Sequence, residues 1–329
     1  MSIEAQWQRL GPLAIALWPV SLLFRLVVAS RRWAYRRNLL KSKHPAVPVI
    51  VVGNITVGGS GKTPLVIWLV EFLRGHGLQP GVVSRGYGGG ASHWPQQVGA
   101  DSDPVAVGDE AVLLAQRAAC PVCVGPDRPA AIDALLQHSG CDVVVSDDGL
   151  QHYAMSRDIE IAVIDGQRRF GNGLMLPAGP LREPVSRLRD VDLVICNGQP
   201  QADEFAMQLS SPQIYRLDGE GPSRDISVLE GQRVRAIAGI GNPGRFFDML
   251  RSHGLVVQGH AFPDHHAYTA EDLAFAAELP LLMTEKDAVK CRNIFAGDAW
   301  VVSIQAQPEA PFVHRLSQAL AHVLPGESR

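Results

Sequence analysis

The stretch that most constrains this chain is Thr56–Pro64, "TVGGSGKTP", which follows directly on the apolar run "VPVIVVGNI". Gly61, Lys62 and Thr63 match the end of a phosphate-binding loop, G-x-x-x-x-G-K-[ST], but Thr56 stands where that pattern has its first glycine. In such a loop the backbone amides surround a phosphate, and the N-terminus of the following helix adds partial positive charge. Gly58, Gly59 and Gly61 let the backbone turn and approach closely, with Ser60 as a further member of the cradle. Lys62 is placed to reach the β- and γ-phosphates and the Thr63 hydroxyl to ligate Mg2+. Pro64 falls in the first helical turn, where its missing N–H costs nothing. Thr56 in place of glycine changes how the chain enters the loop, not the cradle itself. The competing reading is a glycine-rich turn that merely ends in Gly-Lys-Thr. It leaves the strand–loop–helix setting unexplained.

Around this loop, apolar runs alternate with helical patterns. "VPVIVVGN", "GVVSRG", "PVCVG", "DVVVSDD", "DIEIAVID" and "DLVICNG" read as strands, with helices beginning near Thr63, Asp109 and Asp127. Runs buried on both faces and separated by helices predict a parallel sheet covered on each side. The loops after such strands gather at one edge, where these folds bind ligands. "QIYRLDGEGPSRDISVLE" reads as two short strands about a turn. A second α/β pattern follows, "VRAIAGIG", "LVVQGHAF", "LPLLMTEKD" and "AWVVSIQ" with helices near Phe246 and Glu271, and "FVHRLSQALAHVL" closes the chain as a helix. A chain of 329 residues suits two such domains.

Charge is unevenly placed. Residues 1–43 carry a balance of +7 while the whole chain carries −3, so the remainder carries −10. An acidic body argues against a nucleic-acid partner, which needs a basic face on the folded domain. The basic head contains Leu10–Phe24, an uncharged stretch bracketed by Trp7, Trp18 and Trp33 and bordered by "RRWAYRRNLLKSK". Fifteen uncharged residues interrupted by Pro12 and Pro19 fall short of the ~20 that cross a bilayer. The pattern predicts a helix lying in or shallowly inserted into the cytoplasmic face of a membrane, the alternative being an amphipathic helix packed on the core. The five cysteines are odd in number and sit mostly in apolar runs, which suits a reducing compartment. "CPVC" at 120–123 runs into a strand rather than opening a helix, and reads as inert.

A phosphate loop that uses Mg2+ needs an acid at the end of a neighbouring strand, and "CDVVVSDDGLQH" supplies Asp147 or Asp148. Neither "ICNGQ" nor "MTEKD" fits the N-K-x-D element that reads guanine, so ATP is the expected nucleotide. "GIGNPG" at 239–244, with Asp264 twenty residues beyond Gly244, imitates a dinucleotide fingerprint. With a phosphate loop elsewhere, it reads instead as a turn near the cleft. His260, Asp264, His265 and His266 suggest a metal site only weakly, because adjacent histidines diverge.

"NITVGGSGKTP", "SRGYGG", "VGDEA", "GPDR", "SDDGLQH", "LMLPAGPLREP", "AGIGNPGRFF" and "FPDHHAY" occur here in the order found in the tetraacyldisaccharide 4′-kinases, the lipid A 4′-kinases of Gram-negative bacteria. The chain resembles that family from its N-terminal segment to about residue 290, and threonine at the loop's first position is also a habit of the family. The resemblance implies an ATP- and Mg2+-dependent kinase of lipid A biosynthesis at the cytoplasmic face of the inner membrane. Its acceptor would be the 4′-hydroxyl of a tetraacylated glucosamine disaccharide 1-phosphate, and its product lipid IVA. It implies a membrane-associated head (1–43), a P-loop domain (44–212), a two-stranded linker (213–231) and a second, smaller α/β domain (232–329), with packing of the terminal helix back on the first left open.

Carried over by position, Lys62 and Thr63 hold phosphates and metal, with Asp147 and Asp148 completing the metal site. Asp109 resembles the general base, paired with His265 or, failing that, His266. Without the resemblance, Asp109 would read as a helix N-cap. Arg128 is a candidate for stabilising transferred charge, and Arg182 and Glu183 for lining the site. His152 is left open between nucleotide contact and turn. The rival functions are a kinase of a soluble small molecule and a membrane-attached nucleotide switch, which would need no acceptor base.

Overall fold

The structure, a computed structural model, describes residues 6–323; the sequence-predicted end of the closing helix, Leu324, lies outside them. The strands of the first sheet are β1 (Val49–Gly53), β2 (Pro80–Ser84), β3 (Gln96–Val98), β4 (Val122–Val124), β5 (Val143–Asp147), β6 (Ile159–Asp165), β7 (Leu193–Asn197) and β8 (Phe205–Leu209). The second sheet takes β9 (Gln213–Arg216), β10 (Arg224–Asp225), β11 (Arg233–Ala238), β12 (Val256–Ala261), β13 (Leu281–Thr284) and β14 (Ala299–Ser303), and β15 (Ala306–Pro308) returns to the first. The first sheet runs β15-β8-β7-β6-β1-β5-β2-β4-β3, the second β10-β9-β14-β13-β11-β12.

The six sequence-predicted strands of the first sheet form its parallel centre. The sheet is nonetheless mixed: β3 and β15 pair antiparallel at its two edges. These edges and β8 escaped the sequence reading, because three to five residues of mixed polarity give no period to detect. The ribbon strands β9 and β10 pair antiparallel about their turn, and β9 also pairs with β14, so the ribbon continues the second sheet.

Alternation along each strand divides the core. Ile50 and Val52 face helices α2 (Lys62–Gly75) and α3 (Asp109–Ala118), while Val49 and Val51 face α4 (Arg128–His138). In the second sheet Val234 and Ala236 pack on α5 (Pro243–Ser252), and Leu281 and Met283 on the side of α6 (Glu285–Cys291). The closing helix α7 (Ala310–Val323) returns to the first sheet through Phe312, Leu316 and Leu320. Val52 pairs with Asp147 in the β1–β5 register, so the phosphate loop and the acidic turn emerge side by side at one sheet edge.

At the head, α1 (Pro12–Arg36) is one continuous helix of 25 residues, which corrects the sequence reading of a short, proline-interrupted segment. Pro12 occupies the first turn, where no hydrogen bond is lost, and the helix passes through Pro19 and Arg25 without stopping. By length and composition it is apolar enough to cross a membrane. It touches the body along a narrow edge. Ser21 Oγ donates to Met175 O at 2.7 Å, Phe24 and Val28 pack near Ile55 and Leu181, and Arg36 pairs with Asp190. Leu10, Ile15, Trp18, Leu23, Leu26, Val27 and Trp33 remain exposed.

The buried Phe312 ring packs against Trp68 and Phe205, so Phe312→Ala should cost about 3–5 kcal/mol. Urea unfolding followed by fluorescence should show a lower midpoint with an unchanged slope.

Candidate active site

The loop after β1 is shaped by its glycines. Gly58 and Gly61 have φ of +90° and +94°, and a Cβ at Gly61 would sit 2.8 Å from Asn197 Nδ2. Two side chains hold the loop's carbonyls: Arg168 donates to Gly59 O, and Asn197 Nδ2 to Ser60 O at 3.3 Å. Thr56, at the loop's start, donates its amide to Asn54 Oδ1 at 3.1 Å. Among the described residues, the amides of Gly58, Gly59, Ser60 and Gly61 donate to no protein acceptor. A protein rarely leaves consecutive amides unpaired unless something else accepts from them. Together with the start of α2, they make an anion cradle.

Beside the cradle, Lys62 Nζ lies 3.4 Å from Asp148 Oδ1, and Arg182 Nη1 lies 2.7 Å from Asp148 Oδ2. Burial works against the Asp148 carboxylate, but Lys62 and Arg182 outweigh it and hold the group at about 2. Asp147 has the opposite balance. Burial, then Glu110 and Asp148, push it up to about 7. Among the described residues, Asp147 Oδ1 and the Ser60 hydroxyl have no hydrogen-bond partner. A buried carboxylate oxygen without a partner, in a pocket of excess negative charge, is what a small hard cation would satisfy. No group of three His, Cys, Asp or Glu side chains among the described residues could hold a metal without other ligands. Two carboxylates and the half-buried Thr63 leave the remaining positions to phosphate and water, which suits Mg2+.

Asp109, 5% exposed, opens α3 and reaches across to the second sheet. His265 Nδ1 lies 3.0 Å from both of its carboxylate oxygens. An ionised carboxylate only accepts, so Nδ1 carries the hydrogen. Lys290 Nζ stands 3.3 Å from Asp109 Oδ2, and Lys286 pairs with the neighbouring Glu110. Burial would raise the Asp109 carboxyl, yet the bond and charge of His265, with Lys290 and Lys286, bring it down to about 2. His265 is raised in turn, chiefly by its hydrogen bond to Asp109. His266 instead meets Asp272 at 3.1 Å and His260 stacks on Phe275, so the histidines diverge.

Three other predicted residues are set back from the cleft. Arg128, 2% exposed, donates to Gly125 O and Asp147 O and backs the acidic turn. Glu183 is wholly buried and accepts from Gln151 Nε2 at 2.8 Å and from the Tyr153 hydroxyl. His152, lowered to about 4 by burial and then by Arg128, is neutral and accepts the Arg128 amide at 3.4 Å. The "GIGNPG" turn packs on the buried Asp287, which accepts from Gly239 N at 3.1 Å, and its Asn242 caps α5. "CPVC" lies at β4 with both thiols free and pushed up by burial, to about 12 at Cys120 and about 11 at Cys123.

Sequence reasoning missed Glu110, Lys286 and Lys290. The lysines lie four apart in "TEKDAVK", a spacing that puts both on one face of a helix. The sequence reading takes "TEKD" as the tail of a strand and as a poor match to N-K-x-D, whereas Glu285–Cys291 is a helix.

A mixed sheet with a parallel centre, an open phosphate cradle, a neighbouring acidic turn and a carboxylate–histidine pair completed by a second α/β unit define a P-loop nucleotide-binding protein. Comparison with known proteins narrows this. The family model described as tetraacyldisaccharide-1-P 4′-kinase matches residues 13–321. A tetraacyldisaccharide 4′-kinase of Nitrosococcus oceani is 56% identical over 93% of this chain and 90% of its own length. One from Methylobacillus flagellatus is 49% identical over 99% and 97%. Among solved structures, the "apo" form of LpxK from Aquifex aeolicus in complex with ATP aligns with a TM-score of 0.79 at 26% identity, covering 93% of this chain and 99% of that one. The chain belongs to the tetraacyldisaccharide-1-P 4′-kinase family.

The Asp109–His265 bond has a titration signature. Asp109→Asn should lower the His265 pKa from its raised value to or below the ordinary 6.5, because burial then acts with less opposition. The stability this bond contributes is fully present between about pH 3.8 and 6.5, is lost as pH rises through the raised His265 pKa, and is lost again as pH falls through the lowered Asp109 value of about 2. Histidine-ring NMR across pH, paired with urea midpoints, checks both statements.

Proposed function

We propose that this chain is an ATP-dependent lipid kinase that transfers the γ-phosphoryl group to the 4′-hydroxyl of a tetraacylated glucosamine disaccharide 1-phosphate, giving lipid IVA. Family membership supports the acceptor, and the ATP named in the Aquifex aeolicus structure supports the donor. The observation that carries the reading is the Asp109–His265 pair beside the phosphate loop. A nucleotide switch has no use for an acceptor base, whereas transfer to a sugar hydroxyl needs a place for the proton.

In this mechanism the cradle amides of residues 58–61, with Lys62, bind the donor's phosphates and hold the terminal phosphorus in line with the acceptor oxygen. As the new O–P bond forms and the β–γ bridge breaks toward ADP, Asp109 takes the hydroxyl proton. A carboxylate held at about 2 is a weak base toward a free sugar hydroxyl. In a loose transition state the proton leaves late, from an oxygen already bonding to phosphorus and therefore acidic. Asp109 then serves first to orient the hydroxyl and only afterwards to accept. His265, Nδ1–H toward the carboxylate, fixes its orientation. Thr63, Asp147 and Asp148 would hold Mg2+, which supplies charge neutralisation at the phosphates. Arg128 and Glu183 act from behind, bracing the acidic turn and the loop that carries Arg182.

The uncovered apolar side of α1 meets hydrocarbon and its basic border meets anionic headgroups, at the cytoplasmic face of the bacterial inner membrane. The acceptor is then presented without leaving the bilayer.

Detergent-solubilised protein given Mg-ATP and tetraacyldisaccharide 1-phosphate should yield a lipid with a second phosphate. Asp109→Ala should slow transfer about 10²–10⁴-fold, the range for a lost acid–base group. Lys62→Ala should abolish it, and His266→Ala should reduce it far less than His265→Ala. A protein that binds ATP yet phosphorylates no such lipid would sink the reading.

A further inference from the structure

Asp165, at the C-terminal end of β6, is buried and lies outside the machinery described above. Its Oδ1 accepts the amides of Gln167 and Arg168, both at 3.0 Å. Its Oδ2 accepts from two guanidinium groups: Arg168 Nε at 3.2 Å and Arg245 Nη1 at 2.9 Å. Arg168 then reaches on to Gly59 O inside the phosphate loop. Arg245 comes from the other unit, in the first turn of α5, just after the "GIGNPG" turn. A continuous chain of charge-assisted bonds thus runs from the second sheet's helix through one carboxylate to the carbonyl of a loop with three glycines in four residues.

We propose that Arg245, Asp165 and Arg168 are positioning residues that let the second unit preorganise the phosphate cradle. The physical need is plain. Gly58–Gly61 has wide conformational freedom, and any arrangement with the amides turned away must be excluded before a phosphate can bind. Arg168 pins the Gly59 carbonyl outward, Asp165 fixes the Arg168 guanidinium through two different groups of that residue, and Arg245 covers the open side of Asp165. With Arg245 removed, Asp165 Oδ2 opens to water and its hold on Arg168 weakens, so the loop samples more states. The three residues act on the loop and touch no reacting atom.

This inference rests on the reading of the loop as an ATP site, and its test needs no acceptor lipid. Equilibrium binding of mant-ATP with Mg2+ to the full chain in detergent should weaken three- to ten-fold in Arg245→Ala and at least as much in Arg168→Ala. The double variant should bind no more weakly than Arg168→Ala alone, since both changes cut one chain. Arg245→Lys should recover part of the loss. Arg251→Ala, which removes an exposed cation elsewhere on the same helix, should bind like wild type. In turnover, Arg245→Ala should raise KM for ATP and leave KM for the acceptor unchanged. Equal affinity in wild type and Arg245→Ala, or losses that multiply in the double variant, would overturn the inference alone. A wild-type chain that bound no ATP would overturn it together with the kinase reading.

Discussion

Four consecutive backbone amides with no protein acceptor among the described residues are the constraint around which the rest of this chain is arranged. Amides left without a protein partner must be satisfied from outside the fold, and the loop holds them free because its carbonyls are held by Arg168 and Asn197 and its glycines tolerate left-handed backbone. The parallel register places that loop beside Asp147, and the strand order puts β5 and β6 on either side of β1. Both flanking strands end in an acidic residue at the same edge, Asp147 and Asp165. Among the described residues, Asp147 has no hydrogen-bond partner for one of its oxygens, whereas Asp165 is engaged at both, by two backbone amides and two guanidinium groups. Neighbouring strand ends of one sheet have taken opposite tasks, set by how many donors surround each carboxylate.

Charge at the cleft follows the same logic. Asp109, Glu110, Asp147 and Asp148 gather where a nucleotide's anionic phosphates are to be received, and left alone would repel them. Lys62, Lys286, Lys290 and Arg182 offset three of the four. Asp147 alone is raised, to about 7, while its two nearest acidic partners are lowered. Cations from the second unit neutralise the acids at the start of α3, and the site's remaining charge deficit is concentrated at one carboxylate.

Much of this was legible in the sequence because it depends on local order: an apolar run, glycines at fixed offsets, then Lys62 and Thr63. Asp147 and Asp148 were legible for the same reason, at the end of "DVVVSDD". The choice of His265 over His266 was not. The two rings diverge to partners on different elements, Asp109 for His265 and Asp272 for His266, and no periodicity encodes that divergence. Lys286 and Lys290 were hidden because their partners are 176 and 181 positions away in number, and a helix of seven residues gives little signal. Arg128 and Glu183 carried the right motif, but burial, which decides whether a charged side chain faces substrate or braces a loop, emerges only from packing. The continuity of α1 through Pro19 also depends on what surrounds the helix, since a proline interrupts one backbone bond and need not end the segment.

The contact between the two units is polar where it matters most. Arg245–Asp165, Lys286–Glu110, His265 and Lys290 with Asp109, and Arg117–Glu285 are all charged pairs. Half-buried ion pairs lose nearly as much in desolvation as they gain in attraction, so such an interface is specific in geometry but weak in net free energy. A hydrophobic seam of equal area would hold the units together whether or not a nucleotide were present. With charged pairs, the seating of the second unit is sensitive to whatever alters the local field, and the phosphates of a nucleotide alter it more than anything else that enters the cleft. Because His265, Lys286, Lys290 and Arg245 all come from the second unit, one seating of that unit brings up the partners of Asp109 and Glu110 and the arginine behind the cradle together.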